Sequence, residues 1–218
     1  NSISSNIVWA AHNDRKGRYW FGTWEGGLNL FNPQTGLFYP IKNRINDPFS
    51  LSDNSVTSIL ETKDSTLWFG TWNGGLNRLK ENHPNSVFPD TALYNTAALT
   101  FDRLTERDGM ISNTVTGMLE DNRGNLWLSA EGGLSKYDPG SNTCCNYTEK
   151  DGIQGSNFFP GACLKSRTGH MYFGGLNGFN VFHPDSIRIN MHVPPAALTA
   201  FKIFEKEAAL DTVIAYKK

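Results

Sequence analysis

One short string recurs four times along the chain. Tyr19-Trp20-Phe21-Gly22-Thr23-Trp24-Glu25-Gly26-Gly27-Leu28-Asn29 returns as Leu67-Trp68-Phe69-Gly70-Thr71-Trp72-Asn73-Gly74-Gly75-Leu76-Asn77. It returns again as Leu126-Trp127-Leu128-Ser129-Ala130-Glu131-Gly132-Gly133-Leu134, and in worn form as Met171-Tyr172-Phe173-Gly174-Gly175-Leu176-Asn177-Gly178-Phe179. The anchors Trp20, Trp68, Trp127 and Tyr172 stand 48, 59 and 45 residues apart. A unit of that length, rich in strand formers, cannot bury a core alone and must stack on its neighbours. Periods of about 40–50 residues with strand content mean propeller blades.

A second block precedes each anchor: Asn6-Ile7-Val8, Asn54-Ser55-Val56, Asn113-Thr114-Val115 and Asn157-Phe158-Phe159. A turn lies between block and anchor, carrying Gly17, Gly124 and Gly169, with Ser65 in that place in the second unit. After the anchor come an apolar–polar stretch and another turn, such as Asn32-Pro33-Gln34-Thr35-Gly36. Each unit therefore supplies four short strands. Consecutive apolar residues such as Tyr19-Trp20-Phe21 suit middle strands covered on both faces. The Gly-Gly pairs suit a tight turn between second and third strands, where positive φ costs glycine little. Such a turn could also cradle an anion through its N–H groups, but its repetition in every unit favours the turn alone. Pro160 falls on the fourth unit's first strand, an edge where a missing donor is tolerated. Residues 80–98 read as an inserted surface loop.

The fold class expected is all-β: a β-propeller fragment of about four four-stranded blades, at about 1–48, 49–107, 108–151 and 152–192. After Pro194-Pro195, residues 197–204 alternate like a strand without a partner in the chain. The start, Ser2-Ile3-Ser4-Ser5-Asn6, is in phase with Ser50-Leu51-Ser52-Asp53-Asn54. The chain is thus expected to be a piece cut from a larger ring, with uncovered apolar faces that drive association when it is made alone.

The formal charge of −1 gives no electrostatic ground for a nucleic-acid or anionic-membrane partner. No apolar run approaches the ~20 residues of a membrane helix, and the first residues lack the pattern of a secretory signal. Cys144, Cys145 and Cys163 are odd in number and partly adjacent, which speaks against a disulfide framework and for packed thiols, with one bridge to Cys163 the alternative. His12, His83, His170, His183 and His192 lack metal-ligand spacing. Neither a metal nor a cofactor is expected.

The string Val-x-x-Ile/Met-x-Glu-x-x-x-x-x-Leu-Trp-Phe-Gly-Thr-x-x-Gly-Gly-Leu-Asn, which spans Val56 to Asn77, resembles the two-component-regulator propeller repeat. Gly169 to Asp185 resembles that family's closing blade, and Pro194 to Ile203 resembles the opening of the Ig-like Y_Y_Y domain that follows such propellers, which places a truncated Y_Y_Y start at 193–218. The resemblance implies the periplasmic sensor portion of an inner-membrane histidine kinase, often a hybrid kinase controlling glycan use. It implies an oligosaccharide or other small ligand, the remainder of the same sensor as partner, a homodimer in the full-length protein, and no catalysis by this fragment. Ser129, Ala130 and Gly175 depart from the repeat.

Propellers bind ligands at one mouth of the channel, lined by the turns between second and third strands and by the loops leading into first strands. The turns supply Trp24, Glu25, Trp72, Asn73, Glu131 and Asn177. The loops supply Arg44, Asp47, Arg107, Asp108, Lys150, Asp151 and Asn157. Indole faces with carboxylates and amides suit a sugar, through stacking on its apolar ring face and hydrogen bonds to its hydroxyls. Against this stand plain roles: Trp24 and Trp72 as packing between blades, the charged residues as solvated turn formers. A propeller glycosidase or lyase would need a carboxylate pair about 5–10 Å apart, and Glu25 and Glu131 belong to blades two apart. A protein-interaction scaffold of the WD or kelch kind lacks its marks, since no Trp-Asp occurs and the Gly-Gly follows the Trp. A quinoprotein-like propeller would require a quinone pocket that the sequence does not show.

Overall fold

The computed structural model describes residues 2–80, 96, 99–187, 202–203 and 206–207. It divides into residues 1–186 and 187–218. The first unit holds four antiparallel sheets in chain order. The first is β1 (Val8–Asn13), β2 (Tyr19–Thr23), β3 (Gly27–Asn32) and β4 (Leu37–Ile41). The second is β5 (Val56–Glu61), β6 (Leu67–Thr71), β7 (Leu76–Lys80) and β8 (Thr100–Leu104). The third is β9 (Val115–Glu120), β10 (Leu126–Ala130), β11 (Gly133–Asp138) and β12 (Thr143–Tyr147). The fourth is β13 (Phe158–Lys165), β14 (Met171–Gly175) and β15 (Gly178–Phe182), three strands among the described residues. These are propeller blades: the first strands β1, β5, β9 and β13 lie side by side as the inner edge. In the second unit Lys202–Ile203 pairs with Lys206–Glu207, so the strand expected there has a partner within the chain. Most of the insertion at 80–98 and most of the expected Ig-like start lie outside the described residues. Among the described residues no helix is long and apolar enough to cross a membrane.

Stacking explains the burial pattern. Every residue of β6 and β10 is buried, because these strands are sandwiched between neighbouring blades. In β2 the face turned away from the second blade is uncovered, and Tyr19 and Phe21 are only partly buried. Trp20 packs on Phe69 of the next blade with centroids 5.5 Å apart, Trp68 on Tyr137 at 5.8 Å, and Trp127 on Phe182 at 4.7 Å. Each anchor is thus the face of one blade set into the back of the next.

The remaining repeat residues tie the blades at both ends. The turn N–H of Gly27 donates to Asn54 O at 2.7 Å, that of Gly75 to Asn113 O at 2.7 Å, and that of Gly132 to Ser156 O at 2.9 Å. One N–H of each Gly-Gly pair is therefore spent on the next blade's lead-in loop, and the Gly74 N–H on Thr71 Oγ1 of its own blade, which speaks against an anion cradle. Glycine is required at Gly27 and Gly75 for two reasons. Their φ values are 83° and 78°, and a Cβ would strike the carbonyls of Ile41 and Leu104 on the neighbouring strand. At the opposite end the glutamate of the repeat reaches back one blade: Arg15 N–H donates to Glu61 at 3.1 Å and Lys63 N–H to Glu120 at 2.9 Å. Asn29 and Asn77, fully buried, clasp the lead-in loops of their own blades through Ser4 and Ser52.

Candidate functional site

The inner strand of each of the first three blades carries an irregularity after its first residue: the pairing register shifts between Val8 and Ala10, Val56 and Ser58, and Val115 and Gly117. A bulge re-aims one side chain. In the second blade that residue is Thr57, whose hydroxyl donates to Val115 O, and in the third Thr116, whose hydroxyl meets Ser129. In the first blade it is Trp9. Its ring lies 4.5 Å from Trp24 and 5.5 Å from Trp72, and those two lie 5.6 Å apart at 78°. Three half-buried indoles thus converge where the Gly-Gly turns of the first two blades meet the channel edge. The backbone fixes them there, Trp24 N–H donating to Ile7 O at 3.0 Å and Trp72 N–H to Ser55 O at 2.9 Å. Trp9 was not singled out from sequence, because its place in the block is filled elsewhere by Thr57, Thr116 and Phe159, and only the pairing reveals the bulge.

The other expected site residues are placed as follows. Glu25 and Asn73 are exposed beside the indoles. Glu25 holds φ at 56°, a left-handed conformation uncommon outside glycine, and its N–H donates to Ser55 Oγ at 3.1 Å. Arg44 is bound to Asp47 at 2.6 Å in the loop to the second blade, and Asp47 accepts Phe49 N–H at 2.9 Å. The hydrogen bond from Arg44 first, then that from Phe49, hold the Asp47 carboxyl below the usual carboxylate range. That loop is clamped by Arg103, whose guanidinium donates to the carbonyls of Asp47 and Ser50, both at 2.8 Å. Asp108 and Asp151 close short 3-10 turns, accepting Thr105 N–H and Thr148 N–H, each at 2.8 Å. Arg107 and Lys150 are exposed on the same turns, and Glu131 is exposed on its own. Asn157 and Asn177 border a cleft of about 10 Å³ in the fourth blade, room for one water. The structure brings Trp24, Trp72, Glu25 and Asn73 together around Trp9, while Glu131, Asn157 and Asn177 stay with their own blades. The three cysteines are free.

The comparisons with known proteins accord with this geometry. The two component regulator propeller family matches residues 2–25, 50–73 and 109–132, each running from a lead-in loop through the Trp-bearing strand to the turn that follows. One match falls in each of the first three blades. The chain is 32% identical over 206 residues to Histidine kinase P4 of Formosa agariphila, covering 93% of this chain and 14% of that protein. Among solved structures it superposes on the extracellular domain of a hybrid two component system, BT3049 from B. thetaiotaomicron, with a TM-score of 0.73 and 22% identity. That match covers 97% of this chain and 27% of the other. Virginiamycin B lyase from Staphylococcus aureus shares the propeller fold at a TM-score of 0.52 and 11% identity, over 85% of this chain and 58% of the lyase. At such identity the likeness is one of fold alone. The chain thus spans 14% of the histidine kinase and 27% of the hybrid two component system domain that it matches.

Proposed function

We propose that this propeller is the ligand-sensing portion of an extracytoplasmic, periplasmic sensor belonging to an inner-membrane histidine kinase, and that it recognises an oligosaccharide. The observation that carries the sugar reading is the convergence of Trp9, Trp24 and Trp72 at the mouth of the first two blades. Half-buried indoles offer apolar faces to a pyranose ring, and Glu25 and Asn73 on the adjoining turns offer acceptors and donors to its hydroxyls. Arg44, Asp47, Arg107, Asp108, Glu131, Lys150, Asp151, Asn157 and Asn177, on the other loops and turns, would contribute, in this reading, to longer glycans. The match to sensor-kinase propellers supports the sensing role. Ligand binding would shift the sensor between two arrangements of a homodimer, by no more than the ligand's difference in affinity for the two. That shift, passed through the membrane, would govern transcription.

Calorimetry of the complete sensor against a panel of oligosaccharides tests this. At least one glycan is expected to bind, and Trp24→Ala and Trp72→Ala are each expected to weaken it about tenfold, the equivalent of about 1.4 kcal/mol. Binding of a peptide with no glycan bound would overturn the sugar reading.

A further inference from the structure

The repeats differ at one buried polar position. In the first blade Asp14, 4% exposed, sits in the β1–β2 turn and its Oδ2 accepts the indole N–H of Trp20 at 2.8 Å and Arg18 Nε at 2.6 Å. In the third blade Asp121 does the same for Trp127 at 3.2 Å and for Asn125 Nδ2 at 2.8 Å. The second blade has Thr62 in that place and Thr66 where Arg18 and Asn125 stand. The Thr62 hydroxyl is within reach of Asp64 Oδ1 at 2.5 Å and Thr66 O at 2.9 Å, on its own turn. Trp68 is 3% exposed and lines a cleft, and among the described residues no carboxylate takes its indole N–H as Asp14 and Asp121 do for Trp20 and Trp127.

The missing carboxylate leaves space. A cleft of about 360 Å³ opens between the second and third blades, walled by Trp68, the Thr62–Thr66 turn and Arg78. It lies on the end of the blades away from the Gly-Gly turns and the three indoles. Its volume falls in the range of small-molecule sites, about 300–1,000 Å³. Arg78, paired across the strands with Trp68, holds its guanidinium 5.6 Å from the centre of the Trp68 ring. Among the described residues it forms no ion pair. The carboxylates on the walls are already engaged: Asp64 by Thr62 and by Thr66 N–H at 3.1 Å, Glu120 by Lys63 N–H at 2.9 Å, Asp138 by Gly140 N–H at 2.9 Å. Arg123, the other guanidinium on the wall, is paired with Asp185 at 3.2 Å. The third blade also sets a cation over its anchor, Lys136 over Trp127 at 5.8 Å, but there Asp121 already occupies the indole N–H. Among the described residues, the second blade alone sets a guanidinium beside an anchor indole that no aspartate holds, and that guanidinium also lowers the nearby Asp64 carboxyl.

We infer that this cleft binds a small carboxylate ligand, one carboxylate oxygen taking the Trp68 indole N–H and the other the Arg78 guanidinium. The ligand supplies in trans the group that Asp14 and Asp121 supply in their own blades. Charge-assisted bonds from a guanidinium are the stronger kind, and the indole meets Tyr137 edge to face at 74°, which holds the donor in place. Two sources share this chemistry, a simple carboxylic acid and a sugar acid.

Titration of the full chain with acetate, glucuronate and glucose, followed by calorimetry and by tryptophan fluorescence, tests the inference. Both acids are expected to bind at least tenfold more tightly than glucose. Glucuronate exceeding acetate by a further tenfold would assign the sugar acid, and equal binding the carboxylate as such. Thr62→Asp installs the carboxylate of the other blades. It is expected to abolish acid binding and raise the melting temperature, an outcome a damaged fold cannot mimic. Arg78→Leu, which introduces the first blade's residue at an exposed position, is expected to weaken acid binding at least tenfold without lowering the melting temperature. Acids that bind no better than glucose, or a Thr62→Asp variant that binds them as the parent does, would overturn it.

Discussion

Gly70→Ala measures how closely the blades approach. Gly70 lies on β6, and its backbone is outside the left-handed region, so alanine is tolerated locally. A Cβ there would overlap Ser58 Oγ and come within 2.8 Å of Val115 Cγ1 and 3.1 Å of Val115 Cβ on the third blade. The first contact is soft, because Ser58 can rotate. The second is hard, because Val115 is fully buried and β-branched, with little χ1 freedom. Overpacking of a filled core costs about 1–3 kcal/mol, while replacing a strand glycine returns about 0.5–1 kcal/mol. The expected net loss is about 1–2 kcal/mol. With a urea slope of about 2–3 kcal/mol per molar, the midpoint should fall by about 0.3–1 M.

The cause is separable from a general loss of fitness by a double-mutant cycle. Val115→Ala alone leaves a cavity and should cost about 2 kcal/mol. In that background the new methyl at position 70 fills space that Val115 vacated. The double variant should therefore be about 1 kcal/mol more stable than the sum of the single changes, a coupling typical of contacting side chains. The first interface behaves differently by the same reasoning. A Cβ at Gly22 meets Val56 Cγ1 at 2.8 Å and also the Val56 carbonyl oxygen at 2.8 Å, and backbone cannot be trimmed. Gly22→Ala should cost more than Gly70→Ala, and Val56→Ala should rescue it less. Urea unfolding monitored by tryptophan fluorescence, in a form of the chain that stays monomeric, reads all of this. Additivity within about 0.5 kcal/mol at the Gly70–Val115 pair would refute the close-approach account.

Asp121→Ala should destabilise the chain by about 2–3 kcal/mol, since hydrogen bonds to a charged group are lost and the Trp127 N–H is stranded; thermal melts check it. Burial raises the Asp121 carboxyl, but hydrogen bonds from Asn125, Arg123 and Trp127 outweigh it and hold the group below its ordinary value. A folded value below the unfolded one gives stability that is complete above about pH 4 and is lost as pH falls through the folded value. Asp121→Asn should therefore flatten the acid arm of a stability–pH curve, and an unchanged arm would contradict the assignment. Burial raises the thiols of Cys144 and Cys163, so both should alkylate several-fold more slowly than free cysteine at pH 8, as mass spectrometry would read. The outer face of the fourth blade leaves Leu164 63%, Phe179 61% and Val181 49% exposed, whereas Leu28, Leu76 and Leu134, which match Phe179 in the other blades, are at most 1% exposed. Light scattering is expected to show concentration-dependent association, reduced by Phe179→Ser; monodisperse monomers would count against it.

The repeat made the architecture legible because stacking imposes the same requirement on each unit: two covered faces, an aromatic that bridges to the next blade, and turns tight enough for glycine. What stayed hidden are relations between positions that only strand pairing brings together. Ser129 reads in sequence as an erosion of the Phe-Gly-Thr string. On the sheet it faces Gly117, while in the second blade Gly70 faces Ser58. The space for one hydroxyl is kept and its side exchanged, so the departure is compensated across the ladder. Trp9 was missed for a related reason, since its direction is set by a bulge and not by alternation. The aspartates under Trp20 and Trp127 brace their turns with one oxygen, and the second oxygen serves the buried anchor. Once that second role is known, Thr62 ceases to be a neutral substitution. It removes from the second blade a partner that the other two keep, and leaves the Trp68 ring lining the cleft between the second and third blades.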